Sequence, residues 1–236
     1  MKAMILAAGR GERMRPLTDR TPKPLLEAGG KALIVWQLER LAQAGVRHIL
    51  VNLAHLGDQI ERALGDGGRW GLSIGYSHEG QALESAGGIA LALSRLGSEP
   101  FLVVNGDVFC DFDLATLRPA YERLLRQPAL MAHLVLVDNP EHNPQGDFVL
   151  DDGFLRPRDD AAALTFSGIG LYQPALFASI VPGTKAKLAP LLREAMVDRR
   201  VTGEHHHGYW LDVGTPERLA LLDDHLRANH SNRGIE

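Results

Sequence analysis

Short apolar runs alternate along this chain with segments of helical period, and that alternation narrows the fold more than any other feature. Residues 3–8, His48–Leu53, Phe101–Asn105 and 130–137 read as strands, with Thr165–Tyr172 and 209–213 following later. Between them, 32–44 carries Ile34, Leu38, Leu41 and Gly45 on one helical face. Residues 56–64, 88–96 and 113–126 are further helical segments. Thr215-Pro216 opens a last helix, with Thr215 as its N-cap and Pro216 at the first helical position. Such alternation predicts an α/β fold, a mostly parallel central sheet with helices on both faces. Ligands of these sheets sit beyond the C-terminal ends of the strands.

The bulk properties exclude several classes. The chain has 236 residues, 45% apolar and 23% charged, with a formal charge of -4. Mild acidity argues against nucleic-acid partners, which need a broad basic face. The lone Cys110 rules out an internal disulfide and fits a reducing compartment. The N-terminal apolar run stops at Gly9, too short for a signal peptide, and no run approaches the roughly 18 residues of a membrane span. A cytoplasmic enzyme with no membrane partner is expected; the oligomeric state is not legible. From 139 to 162 the sequence is rich in Pro, Gly, Asn and Asp, which reads as turns and short strands of a lid or substrate side. One domain is expected over 1–229, with 1–138 and 139–229 as its two parts and 230–236 as a tail without periodicity.

Against that acidic background, Arg10, Arg13, Arg15, Arg20 and Lys23 concentrate a net +3 with only Glu12 and Asp19 between them. The cluster follows the first strand and surrounds Gly9-Arg10-Gly11. A dinucleotide fingerprint would need glycine where Met14 stands; no Walker A motif exists, since Gly30-Lys31 is followed by Ala32; and no kinase signature follows. What remains is a glycine loop whose backbone N–H groups can approach phosphates. Arg13 and Lys23 are candidates to balance a triphosphate, and Pro16, Pro22 and Pro24 stiffen the loop that carries them.

Two acids stand at strand ends far apart in sequence. Asp107 follows the apolar Val103-Val104-Asn105-Gly106, and Asp212 lies in Trp210-Leu211-Asp212-Val213-Gly214-Thr215-Pro216. Each is either a turn residue or a Mg²⁺ ligand, the ion being held by one or two carboxylates plus substrate phosphates. His205-His206-His207 suggests zinc. In a strand, however, only His205 and His207 share a face, and no third ligand stands at zinc spacing, so the trio reads as bordering a site near Asp212 or as exposed. Trp36 and Trp70 read as core or surface aromatics. A serine nucleophile elbow is absent.

The segment LAAGRGERMRPLTDRTPKPLL, residues 6–26, resembles the signature of the sugar-1-phosphate nucleotidyltransferases. The resemblance implies a Rossmann-like nucleotidyltransferase fold and transfer of a nucleotidyl group to a sugar 1-phosphate with release of pyrophosphate. It implies that Ala7, Ala8 and Gly9 lie by the nucleoside, that Gly11, Glu12 and Arg13 line the triphosphate, and that Lys23 is the signature lysine. Asn105 would sit near the nucleotide. By the same resemblance Asp107 and Asp212 hold Mg²⁺, and Arg13, Lys23, Asp107 and Asp212 form the catalytic set. The segment 76–88 resembles the base-reading stretch, with Gly80, Gln81 and Gly87 as candidates there. Gly146 and Asp147, with Ser167 and Gly168, match the sugar-lining turns. Arg156 stands where many relatives carry a lysine for the sugar phosphate, so it is a candidate substitute. ALESAGGI, DNPEHNPQGDF and FSGIGLY are most similar to members that join UTP to N-acetylmuramate 1-phosphate in peptidoglycan recycling. Mannose- or heptose-1-phosphate guanylyl transfer is the alternative, and a non-catalytic nucleotide-sugar-binding regulator is the alternative of another class.

Overall fold

The structure is a computed structural model that describes residues 1–159 and 161–233. Its centre is a nine-stranded sheet built from β1 (Ala3–Leu6), β4 (His48–Leu53), β5 (Ser73–His78), β6 (Phe101–Asn105), β8 (Ala132–Val137), β9 (Phe148–Asp151), β10 (Phe154–Pro157), β11 (Thr165–Tyr172) and β12 (Val201–His206). Two short ribbons flank it: β2 (Glu27–Ala28) with β3 (Lys31–Ala32), and β7 (Val108–Cys110) with β13 (Trp210–Asp212). The order across the sheet is β5-β4-β1-β6-β11-β8-β12-β10-β9. Only β10 and β11 run against the rest, so the sheet is mixed but mostly parallel.

Side-chain alternation explains why these strands lie in the middle. Ala3 and Ile5 of β1 and Leu102 and Val104 of β6 enter one core, while Met4, Phe101 and Val103 enter the other. The first core is closed by α1 (Leu33–Gln43), α2 (Gly57–Leu64) and α4 (Arg118–Arg126), through Leu38, Ile60 and Leu124. The second is closed by α3 (Glu84–Leu96) and α5 (Leu188–Val197), through Ile89 and Leu192. A strand that is apolar on both faces must be covered on both, which is the α/β arrangement expected from the alternation. The last helix, α6 (Pro216–Arg233), packs Leu222 and Leu226 with Met14, Ala28 and Val213 in a third, smaller cluster. Among the described residues, no helix is long and apolar enough to cross a membrane.

Several boundaries differ from the sequence reading. β1 ends at Leu6 because Ala7 leaves the ladder and donates its N–H to the Asn52 side chain (2.7 Å). α3 starts at Glu84, so Gly87 and Gly88 lie inside the helix instead of opening it. α4 starts at Arg118, after a tight turn at Leu114–Leu117 capped by Asp113, which accepts the Ala115 N–H (2.9 Å). β5 and α5 carried no clear periodic signal. α6 runs on to Arg233, not stopping at 229, since an established helix extends at one bond per residue. Residues 234–236 of the expected tail lie outside the described residues.

Candidate active site

The C-terminal ends of β1, β4, β5 and β6 meet at one edge of the sheet, and a cleft of about 530 Å³ opens there. Its floor is Ala7, Ala8 and Gly9, the first residues past β1. Nothing lies within 4 Å of where a Gly9 side chain would begin, so that backbone faces open space. Gly11 differs: its φ is +63°, and an added Cβ would stand 2.8 Å from Thr18 Cγ2. Thr18 also donates to the Gly11 carbonyl (2.8 Å), which ties the loop to itself.

A buried polar column supports the floor. Asn52, at the end of β4, accepts the Ala7 N–H and donates to Glu79 Oε1 (2.6 Å). Glu79 Oε2 in turn accepts the Leu83 N–H (2.8 Å). Burial raises the Glu79 pKa above its ordinary 4.5, and the bonds from Asn52 and Leu83 pull it back down. The column therefore fixes β1, β4 and the entry to α3 relative to one another. Glu84, the first residue of that helix, lines the cleft with φ at +63°, a strained value for a residue with a side chain.

The two acids come together through the β7–β13 ribbon. Asp212 pairs with Val108 across it, and the Val213 N–H donates to the Asp107 carbonyl (2.8 Å). Asp107 faces the cleft, where its Oδ2 meets the buried Lys23 ammonium at 2.5 Å. Asp212 Oδ1 accepts from Arg218 (2.6 Å) and lies 2.8 Å from His142 Nε2. Arg13 reaches the same corner, its guanidinium 3.1 Å from where a Gly214 Cβ would sit. A cation and an acid thus arrive at this corner from each half of the chain.

Residues 2–228 match the family described as Nucleotidyl transferase. The chain belongs to this family. It is 57% identical over 223 residues to the N-acetylmuramate alpha-1-phosphate uridylyltransferase of Neisseria meningitidis, covering 93% of this chain and 95% of that one. The protein of the same description from Caulobacter vibrioides is 36% identical, covering 95% and 96%. Mannose-1-phosphate guanylyltransferase catalytic subunit beta of Danio rerio is 30% identical over 92% of this chain, which spans 62% of that longer protein. Among solved structures, a putative glucose-1-phosphate thymidylyltransferase from Bacillus anthracis, in complex with a sucrose, superposes with a TM-score of 0.82 at 24% identity. It covers 96% of this chain and 95% of that one, and shows the fold.

Several of the residues expected for a nucleotidyltransferase converge. Ala7, Ala8, Gly9, Lys23, Gln81, Asn105 and Asp107 all line the cleft. Others sit beside it. Glu12 is exposed on the short turn after Gly11, and Gly80 makes the turn before Gln81 at φ +68°. Gly87 is turned away, its N–H given to the Ala186 carbonyl (3.1 Å).

The residues expected on the sugar side stand outside this cleft. Ser167 is fully buried and its hydroxyl donates to Val135 O (2.7 Å), so that side chain is committed to the sheet. Its carbonyl takes the Trp210 indole N–H (2.9 Å), which links β11 to the Asp212 ribbon. Asp147 accepts the Phe166 N–H (2.9 Å), and Gly146 stands in the turn before it. Gly168 marks a break in the β11 register at φ +83°, with Asn105 packed where a Cβ would be (Nδ2 at 2.8 Å). Gly168→Ala should cost about 1–3 kcal/mol in a urea melt and displace Asn105, raising the nucleotide KM.

Arg156 lies away from the cleft. It pairs with Asp151 (3.7 Å) and with Asp159 on the β9–β10 edge, so its charge is already balanced. Lys185 lines the cleft instead. No sequence signal marks it. It arrives because the segment before α5 docks on the start of α3, where Ala186 exchanges bonds with Leu83 and Ala86 (both 3.0 Å). Asn52, Glu79, His142 and Arg218 are likewise visible only in three dimensions. Cys110 is buried, which pushes its thiol pKa up and leaves it without nucleophilic character.

Proposed function

We propose that this nucleotidyltransferase transfers the uridylyl group of UTP to N-acetylmuramate 1-phosphate, yielding UDP-N-acetylmuramate and pyrophosphate, in the reuse of peptidoglycan sugars. The observation that carries the reading is the 57% identity along 95% of a relative named for that activity. The matches to guanylyltransferases near 30% identity support mannose 1-phosphate with GTP as the second reading.

The chain's own groups can supply most of the chemistry. A sugar phosphate is already an oxyanion, so no protein nucleophile is required, and the task is positioning plus charge compensation along an in-line displacement. The backbone past β1 receives the nucleotide, Lys23 sits at the leaving-phosphate side, and Arg13 adds charge from the Gly214 corner. Asp107 holds Lys23 in place before substrate arrives.

The donor set also fits Mg²⁺. Asp107 and Asp212 are hard carboxylates on neighbouring strand ends. Among the described residues, the Asp107 Oδ1 and Asp212 Oδ2 atoms accept no protein hydrogen bond. Bound there, the ion would neutralise charge on the phosphates. Lys185 adds a further cation to the cleft wall for the substrate phosphates, whereas Arg156 is engaged elsewhere. Lys185→Ala should lower kcat/KM about 10- to 100-fold, the worth of one charge-assisted bond. The reading itself is tested by pyrophosphate release over four NTPs and a panel of sugar 1-phosphates with Mg²⁺. Release with UTP and N-acetylmuramate 1-phosphate is the expected result, and preference for GTP with mannose 1-phosphate selects the second reading.

A further inference from the structure

A second cluster of ligand-bearing side chains stands on the same sheet edge, outside the cleft. β8 and β12 are parallel neighbours, with Leu136 opposite His205 and Val137 opposite His206. Asp138 follows β8 directly, so strand alternation places it on the face of Leu136 and His205. His207 returns to that face one residue past the strand. The result is that one ligand atom each of Asp138, His205 and His207 lies within 4.8 Å of the others. His205 Nε2 and Asp138 Oδ1 are 2.9 Å apart, and the His205 and His207 rings stand 3.9 Å apart. Two donors at roughly 2.0–2.1 Å from one tetrahedral metal are themselves about 3.4 Å apart, so a small opening of the His205–Asp138 hydrogen bond seats an ion between them.

We propose that Asp138, His205 and His207 bind a borderline divalent cation, Zn²⁺ by preference, at a site separate from the catalytic aspartates. Two imidazoles and one carboxylate suit Zn²⁺, whereas Mg²⁺ prefers oxygen donors. Asp138 and His207 are exposed, so the ion has an entry path and a position left for water or a ligand. Asp138 leads into the 139–147 wall and His207 into the ribbon that carries Asp212, so a bound ion ties both walls of the sugar side together.

The middle histidine does not belong to this site. His206 points to the opposite face, bonds Asp111 (2.6 Å) and meets the Phe112 ring edge-on at 5.3 Å. Cys110, Asp111 and His206 also lie within ligand distance of one another, but Arg40 donates to the Phe112 carbonyl (2.8 Å) beside them and Cys110 is buried. A fixed guanidinium and a closed thiol disfavour a cation there. This contrast separates a built site from the stickiness of any histidine run.

The test uses the full chain without an affinity tag. Zn²⁺ is titrated against a chelating indicator in excess Mg²⁺, and Co²⁺ serves as a visible-absorption probe. One ion per chain is expected, with Kd raised at least about tenfold by Asp138→Asn and by His207→Ala, and changed less than twofold by His206→Ala. Thermal melts check that each variant is folded. His205→Gln is the second variant should His207→Ala unfold. Absence of stoichiometric Zn²⁺ binding overturns the proposal. So does loss through His206→Ala, or loss through Asp107→Asn, which would place the ion at the catalytic aspartates.

Discussion

Asp107→Asn is expected to lower kcat by on the order of 10³-fold while leaving a folded protein. The carboxylate supplies a negative charge that an amide lacks. That charge pairs with the Lys23 ammonium at 2.5 Å inside the cleft, and in the proposed mechanism it would also help hold Mg²⁺. Charge compensation of a transferring phosphoryl group is a transition-state term, and losing one such preorganised contact costs about 10²–10³-fold or more. The Asn side-chain oxygen can still accept from Lys23, and Asp107 is 40% exposed, so the loss of stability should be near 1 kcal/mol. Single-turnover pyrophosphate release and a thermal melt separate the two effects. An unchanged kcat would remove Asp107 from the mechanism.

Asn52→Leu should have the largest effect on stability. Asn52 is 3% exposed and closes two bonds, one to the Ala7 N–H and one to Glu79. Leucine leaves a buried N–H unpaired and a buried carboxylate with one partner fewer, which costs about 2–4 kcal/mol. That corresponds to a Tm lower by roughly 10 °C in a chain of this length. The deficit should depend on pH in a defined direction. Burial raises the native Glu79 pKa above 4.5, so ionising this group works against folding, and stability is lost as pH rises from about 4.5 through the native value. Removing Asn52 takes away a contact that lowers that pKa, so the native value moves higher still. The gap between variant and wild type should be smallest near pH 4.5 and grow toward neutrality, as read from urea midpoints across pH. A gap independent of pH would mean that Glu79 is not the group affected. Because Ala7 forms the cleft floor, the nucleotide KM should rise as well.

Much of the site was legible because its chemistry is local. The glycine loop, Arg13 and Lys23 sit within one continuous stretch, and the residues after β1 must emerge at a strand end. Asp107 was legible for the same reason, as the first acid past a fully apolar strand. His205-His206-His207 marks the edge of what such reading reaches. Alternation correctly separated the middle ring from its neighbours, yet the third ligand, Asp138, stands 67 residues earlier and meets them only through β8–β12 pairing. Arg156 shows a second kind of failure. Its position in the chain suggested a phosphate contact, but Asp151 of its own hairpin and Asp159 just past it pair with the guanidinium. Ser167 shows a third: a residue at the expected place whose hydroxyl the sheet has already consumed.

The sequence by itself determined the fold class, the family and the glycine loop past β1, because hydrophobic period and loop chemistry act over a few neighbouring residues. Tertiary structure alone decided which distant groups meet. The β7–β13 ribbon sets Asp107 beside Asp212, the Asn52–Glu79 column stiffens the floor, and docking of the 184–186 segment on α3 delivers Lys185 to the cleft. Those meetings depend on strand order and register, which are fixed by how two cores bury their apolar faces and leave no mark on any single stretch of chain.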